Sequence, residues 1–307
     1  MTLFSTTSVL QKLKEGFEFR EAELSRLTLD SVNIDGAKFL ECYLRGALFT
    51  HLSCQDSNFK KTNLVFAQFN DVNLTQAILE RVELNSAVLN DVILNDANAY
   101  KAKLFGAKLK NITANNLNLS FADLRNINGK NIHLSSANLN KALLNQANFD
   151  DINFERAIVT NVNLQSSIIN DSRWYRANLQ NTDLSKSEIT NAHFNDASLV
   201  NSKFREAKLV NVDFLNSELL EANFNGAELK NINFTDSIFL SADFEGANLS
   251  NINLTNANFQ DANFENTIWE NIDFSNCNVS GAVFSDAQGL TDEQKQILRT
   301  KGALNIA

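Results

Sequence analysis

The sequence predicts an all-β solenoid wound as a four-sided coil of about 13.5 turns, with a short α-helix closing each end. Three observations carry this. An apolar residue recurs at every fifth position without a slip, a twenty-residue repeat overlies the first, and 307 residues include no proline. The absence of proline indicates that nearly every backbone N–H is needed as a donor.

Stepping by five from Phe19 to Phe284 gives 54 positions, of which 25 are Leu and 18 are Phe. Two residues before each centre stands Ala, Ser, Thr or Cys in 37 of the 54 units, as at Ala247, Ala257 and Ala262. Residues five apart on an α-helix point about 140° away from one another, so this pattern buries no single helix face. On a flat strand an odd step alternates faces, which excludes that as well. The two inward positions therefore lie on one short wall, and the following polar pair turns a corner.

The number of walls comes from the exceptions. Val32, Leu52, Val72, Val92, Ile112, Ile132, Ile152, Val212, Ile232, Ile252 and Ile272 fill the small position at multiples of twenty residues, and only Ser172 and Ala192 break the column. Twenty residues make four walls per coil. Just before this column stand Asn111, Asn131, Asn191, Asn211, Asn231, Asn251 and Asn271, with Asp71, Asp91, Asp151 and Asp171. Stacked in register, such amides can bond to the copies above and below. Successive coils are expected to pair as parallel strands about 4.8 Å apart, giving a rod on the order of 65 Å with a dry core of Leu and Phe.

The segments "ANLSN", "ANFQD", "ADFEG", "ADLRN" and "ANLNK" resemble the A(D/N)LXX repeats of the pentapeptide repeat family. The resemblance runs over residues 17–286 and implies a right-handed quadrilateral β-helix, the handedness coming from the family alone. It also implies a functional candidate, because the family includes proteins that imitate DNA and inhibit or protect gyrase and related topoisomerases.

Solenoid ends expose unpaired edges and need caps. Residues 1–16 offer a Ser/Thr N-cap, Val9, Leu10 and Leu13 on one face, and Gly16 as a stop. Residues 287–307 offer Thr291 and Gln294 in capping-box spacing, apolar Ile297 and Leu298, and Gly302. The expected organisation is a capping helix in 1–16, the repeat coil in 17–286 and a second cap in 287–307.

Composition narrows the function. Hydrophobic residues make up 44% of the chain and the mean hydropathy is -0.22, as in folded soluble proteins. No apolar run approaches the roughly 18 to 20 residues of a membrane span, and the first residues lack a secretory pattern. A bacterial, cytoplasmic protein is expected, with export as an effector left open. Cys42, Cys54 and Cys277 occupy inward positions without metal-ligand spacing, so buried inert thiols are expected and no metal or cofactor.

Nothing in the repeats suggests convergent catalytic groups. His133 and His193 fall three coils apart, His51 falls in the amide column, and Asp150 and Asp151 fall on a convex corner. The chain reads as a non-enzyme that binds another protein.

Two surfaces are candidates. Val200, Leu220 and Leu240 form an outward apolar column with Ile238 adjacent, bounded by Gln180 and Gln260. Such clusters mark contacts with protein partners, although scattered surface aliphatics are also ordinary. The second candidate is acidic. The chain's net charge is -9, which disfavours direct nucleic-acid binding, and residues 211–286 hold twelve carboxylates against Lys230 alone. These are Asp213, Asp236 and Asp273 on one wall, Glu218, Glu221 and Asp261 on a second, Asp243, Glu245, Glu265 and Asp286 on a third, and Glu228 and Glu270 on the fourth. The charge per unit length approaches that of duplex DNA, about one per 1.7 Å. This makes a gyrase- or topoisomerase-directed DNA mimic the alternative reading; the spread over four walls and a slightly basic middle section argue against it. Lys61, Arg81, Lys101 and Lys141 align with Phe121 between them, a third candidate, for an acidic partner or a phosphate backbone, weakened by the small number of cations and by neighbouring Glu80. Homodimerisation stays open.

The irregular units read mostly as volume compensation. Trp174 faces Ser172, Gly129 is paired with Ile127, and Ala114 with Ile112. A local bulge presenting Arg173, Tyr175 and Arg176 is the functional alternative at Trp174. Ala99 beside Ala97 is uncompensated, and a small void is expected there.

Overall fold

In each coil the small and large apolar residues turn inward and the residues between them form short parallel walls. The computed structural model describes residues 4–306, and the chain divides into two compact units, Met1–Asn153 and Phe154–Ala307.

The first unit opens with α1 (Thr6–Lys14), capped by Ser5, whose hydroxyl accepts from the Ser8 N–H. Gly16 ends it at φ +74°, and Phe17 N–H reaches back to the Lys12 carbonyl at 2.9 Å. The strands that follow are β1 (Phe19–Arg20), β2 (Thr28–Asp30), β3 (Phe39–Leu40), β4 (Leu48–Ser53), β5 (Gln68–Asn73), β6 (Val88–Ile93), β7 (Lys108–Thr113), β8 (Asn128–His133) and β9 (Asn148–Asn153). β1 pairs with β3, and β2 with β4 and onward through β9, always parallel and always twenty residues apart, as in Phe49 opposite Phe69. The second unit repeats this with β10 (Ile168–Arg173), β11 (Glu188–His193), β12 (Lys208–Asp213), β13 (Glu228–Asn233), β14 (Asn248–Asn253) and β15 (Ile268–Glu270). It closes with α2 (Asp292–Thr300). The parallel solenoid with a helix at either end of the sequence is therefore as the sequence predicts.

The corners have a common chemistry. The second residue after nearly every centre adopts φ near +55°, and at many of them the next N–H bonds to the carbonyl of the centre, as from Ala257 to Leu254 at 3.0 Å. A positive φ at the third residue with this bond is the signature of a type II turn. Asn, Asp and Gly tolerate that conformation best, and among the described residues no Val, Ile or Thr adopts it. The column of bulky aliphatics lies on the longest strands, where Leu52, Val72, Val92 and Ile112 stand opposite one another.

The core is as dry as its composition requires. Within the second unit, Phe204, Phe224, Phe244 and Phe264 stack on successive coils with centroid separations of 4.7 to 4.9 Å. Buried Ser and Thr at the small position turn their hydroxyls onto main-chain carbonyls, as Ser217 does to Phe214 and Thr267 to Phe264. This explains why they substitute for Ala there.

The amide column forms as expected. Asn111 donates to Asp91 at 2.8 Å and Asn131 to Asn111 at 3.0 Å. In the second unit, Asn191, Asn211, Asn231, Asn251 and Asn271 each donate to the preceding coil, the run starting on Asp171. A carboxylate can accept but not donate, so Asp fits the first rung.

The ends depart from expectation in detail. Val9 is fully buried under α1, but Leu10 and Leu13 are only half-buried, and the inward residues Val32 and Ala37 remain half-exposed beside a groove of about 500 Å3. One two-turn helix is too narrow to cover a square cross-section. At the other end the capping box forms, with Thr291 N–H donating to Gln294 Oε1 at 2.8 Å. Gln294 also donates to the Ile272 carbonyl at 2.6 Å and Lys301 Nζ to the Cys277 carbonyl at 2.8 Å, where the last coil lacks regular strand after Glu270. Leu304 then pairs with Phe284 and Ala282, so the chain itself covers the final edge.

Candidate functional site

The apolar column lies at a corner of the second unit. Main-chain bonds from Asn201 to Leu220 and from Glu221 to Leu240, both 2.9 Å, place one member on each successive coil. Val200, Leu220 and Leu240 are half-buried. Each follows a buried centre (Leu199, Leu219, Phe239). Ile238 is 39% exposed, and Leu215, which the sequence did not single out, is 36% exposed at the turn that precedes this wall.

Between them run the carboxylates. Asp196, Ser198, Asn216, Glu218, Asp236 and Ile238 line a shallow groove of about 300 Å3. Asn216 and Asn256 donate to Asp196 and Asp236 at 2.6 and 2.9 Å. The wall is thus apolar and acidic together.

The other acidic candidates do not converge. Asp213 accepts from Asn195 and Asn233, Asp243 from Asn223 and Asn263, Glu245 from Asn225, and Glu270 from the Ser250 hydroxyl. Asp273 accepts from the Ser275 backbone and hydroxyl, and these bonds hold its carboxyl below the usual range. Asp261 has only Gln260 beside it at 3.2 Å. Glu221, Glu228, Glu265 and Asp286 are exposed or half-buried without a cationic neighbour in hydrogen-bond range. Among the described residues none of the carboxylates from Glu218 to Asp286 forms an ion pair: their partners are amides and hydroxyls, so the negative charge is held but not neutralised.

The basic candidate belongs to the first unit. Backbone bonds from Lys61 to Glu80, Arg81 to Tyr100, Lys101 to Ser120 and Phe121 to Asn140 put Lys61, Arg81, Lys101, Phe121 and Lys141 on consecutive coils. Lys61 pairs with Glu41 at 2.9 Å and depresses its carboxyl, while Lys60 pairs with Glu80 at 2.8 Å to the same effect. Lys101 and Lys141 make no ion pair among the described residues. Their ammonium groups lie instead 5.7 and 5.5 Å from the Phe121 ring.

The remaining groups have ordinary explanations. The three cysteines are buried and unpaired by disulfides, and burial pushes Cys42 and Cys277 up to about 11 and Cys54 higher still. His51 Nδ1 lies 3.2 Å from Asp30, and His193 stacks on Tyr175. Asp150 pairs with Lys130 at 2.6 Å. No set of three or more His, Cys, Asp or Glu able to hold a metal occurs among the described residues, and no helix is long and apolar enough to cross a membrane.

Trp174 is fully buried, and its coil keeps register, with Arg173 opposite His193 and no inserted residue. Beside Gly129 the compensating groups are Ile132 and Phe149 rather than Ile127, since an added Cβ would lie 2.6 and 3.0 Å from them. An apolar void of about 30 Å3 does lie beside Ala99, and a second of about 40 Å3 beside Ala114, whose compensation by Ile112 is incomplete.

Comparison with known proteins gives matches to one kind of repeat. A "Pentapeptide repeat region" profile matches residues 147–224 and 221–289, and a "Pentapeptide repeats (8 copies)" profile matches 28–64 and 67–111. No curated protein matches the sequence. Similar solved structures include HetL, a protein involved in heterocyst differentiation regulation in the cyanobacterium Nostoc sp. strain PCC 7120. It is 21% identical over 83% of this chain and 96% of HetL, with a TM-score of 0.31. QnrB1, a plasmid-mediated fluoroquinolone resistance protein, is 19% identical in a trypsin-treated form over 70% of this chain and 97% of that one, with a TM-score of 0.35. A protein of the Arabidopsis thaliana thylakoid lumen is 28% identical over 39% of this chain and 74% of that one, with a TM-score of 0.20. Superpositions this loose leave the assignment to the repeat profiles.

Proposed function

The chain belongs to the pentapeptide repeat family, and from that premise we propose that it is a non-catalytic binding protein whose rigid coil presents one wall to another protein. The observation that carries the proposal is the wall bearing Val200, Leu220, Leu240 and Ile238, beside which Glu218, Ile238 and, at the adjoining corner, Asp236 line a groove of about 300 Å3. Apolar side chains supply the desolvated contact, and flanking carboxylates select a partner with cations around an apolar centre. The capping ends and the stacked core keep that wall rigid, so little ordering cost attends binding. Domain organisation follows the same reading: residues 1–16 and 287–307 serve as caps, and residues 17–286 as the binding coil. The compartment we assign is the cytoplasm.

The test is capture of a partner by the full chain and by a Leu220→Asp/Leu240→Asp variant. Loss of capture with retained thermal stability supports the wall; unchanged capture removes it.

A second reading has its own observation. The carboxylates from Glu218 to Asp286 lack ion-pair partners among the described residues, which leaves a strong negative field on the second unit. A DNA-binding enzyme such as gyrase or another topoisomerase would meet that field as it meets a phosphate backbone. A supercoiling assay with purified protein separates the readings: neither inhibition nor protection at micromolar concentration eliminates the DNA mimic.

A further inference from the structure

We propose that the wall carrying Leu220 and Leu240 docks onto the Lys101–Phe121–Lys141 ridge of a second copy of this chain. The inference rests on the binding-wall reading above and names its occupant.

The ridge is unusual in three respects. Phe121 is 45% exposed at a corner whose φ of +60° is the usual one for this coil, so its ring stands out from the turn. Two ammonium groups, on Lys101 and Lys141, converge on its ring although like charges repel, and neither forms an ion pair among the described residues. Tyr100 meets the same ring edge-on at 5.7 Å and lies 5.1 Å from Lys101 Nζ. Most cations elsewhere in the first unit have a carboxylate within reach, as Lys103 has Glu83 and Arg125 has Asp123. The ridge therefore presents uncompensated positive charge around an exposed aromatic centre.

The wall of the second unit is its counterpart. It presents negative charge without ion pairs, from Glu218 and Glu221 and from Asp236 at the adjoining corner, around an apolar centre of Ile238, Leu220 and Leu240. Each surface lacks what the other supplies. The spacing agrees too, because Lys101 and Lys141 lie two coils apart, as do Asp196 and Asp236, which is about 9.6 Å at the rise set by parallel pairing. A partner built on the same coil can register several charge pairs at once, whereas a surface of different period matches only one or two. Buried aromatic and aliphatic anchors ringed by complementary charge are the general form of a protein interface.

The contact is tested by sedimentation velocity of the full chain over a range of protein concentrations, in about 0.05 M and about 0.5 M salt. The sedimentation coefficient is expected to rise with concentration at low salt and to rise less at high salt. A Lys101→Glu/Lys141→Glu variant and a Glu218→Lys/Asp236→Lys variant should each self-associate about tenfold more weakly. An equimolar mixture of the two should associate again, which misfolded chains would not do. A wild type that stays monomeric at low salt overturns the proposal, as does association indifferent to both charge reversals. So does a ridge that retains a polyanion such as heparin while the wild type remains monomeric. The binding wall itself is judged separately, by the capture contrast between the wild type and Leu220→Asp/Leu240→Asp.

Discussion

The indole Nε1 of Trp174 donates to Ser172 Oγ at 2.9 Å, and the ring lies between Phe154 and Phe194 at centroid separations of 4.1 and 5.4 Å. Ser172 stands in a column that, apart from Ala192, carries Val, Ile or Leu, so one small residue supplies both the space and the acceptor. Trp269 repeats the device with Thr267 at 2.8 Å. Replacing Ser172 with Val should both crowd the ring and orphan its N–H, lowering stability by about 2–4 kcal/mol. The denaturation midpoint of Ser172→Val should recover in large part when Trp174→Leu is added, because that restores the pairing used on other coils.

The amide column should be sensitive to the loss of a donor rather than of bulk. In Asn231→Asp the side chain still accepts from position 251 but has nothing to donate to Asn211 Oδ1. A loss of about 1 kcal/mol is expected at neutral pH. Protonating the new carboxyl restores a donor, so the deficit should shrink in acid, and urea midpoints of both proteins at pH 7 and pH 4 check this.

Filling the void beside Ala99 should stabilise the first unit. Leu79 and Leu119 occupy the same column one coil away, and the void of about 30 Å3 has a wholly apolar lining. At roughly 24 cal/mol per Å3 of cavity, Ala99→Leu should contribute about 0.7 kcal/mol. A lower thermal midpoint would mean that the site cannot take the longer side chain.

Gly129→Ala should have the opposite sign. The new Cβ would stand 2.6 Å from Ile132 Cδ1 and 3.0 Å from the Phe149 ring. Overpacking of this kind costs about 1–3 kcal/mol, and the comparison is again a thermal midpoint.

Asp123 offers a pH signature. Arg125 bonds both of its carboxyl oxygens, at 2.8 and 2.7 Å, and with the Arg125 backbone N–H holds the carboxyl below its usual range. A depressed carboxyl contributes stability above its unfolded value, near 3.9, and loses it as pH falls through the folded value. The stability gap between wild type and Asp123→Asn should therefore be flat above about pH 5 and close progressively in stronger acid.

The coil was legible because its instructions are local and repeated. Ile252 and its counterparts every twenty residues state the number of walls, and Asn231 with its neighbours states how one corner is tied. What the five-residue pattern hid lies in the third dimension. Val200, Leu220 and Leu240 read as outward, yet they are half-buried, while Ile238 and Leu215 stand more open. Trp174 read correctly as a matter of volume, but its hydrogen bond to Ser172 required the rotamer. The docking of Gln294 and Lys301 onto the last coil was hidden for a different reason, since caps make contacts that no repeat encodes. The uncompensated charge on the binding wall was half visible: the sequence counts carboxylates, but only geometry reveals that amides occupy them.

The directional amide column has a consequence for how such a chain changes length. Every rung from Asn191 to Asn251 gives its proton toward the N-terminal side and receives one from the C-terminal side, and Asn271 ends the run as a donor. Any rung can therefore follow any other, and excising one complete coil, for example residues 231–250, would bring Asn251 onto Asn211 with donor and acceptor still matched. Gene duplication or deletion in steps of sixty nucleotides is structurally silent along this stretch, and it would move whatever the outer wall displays by one fixed increment.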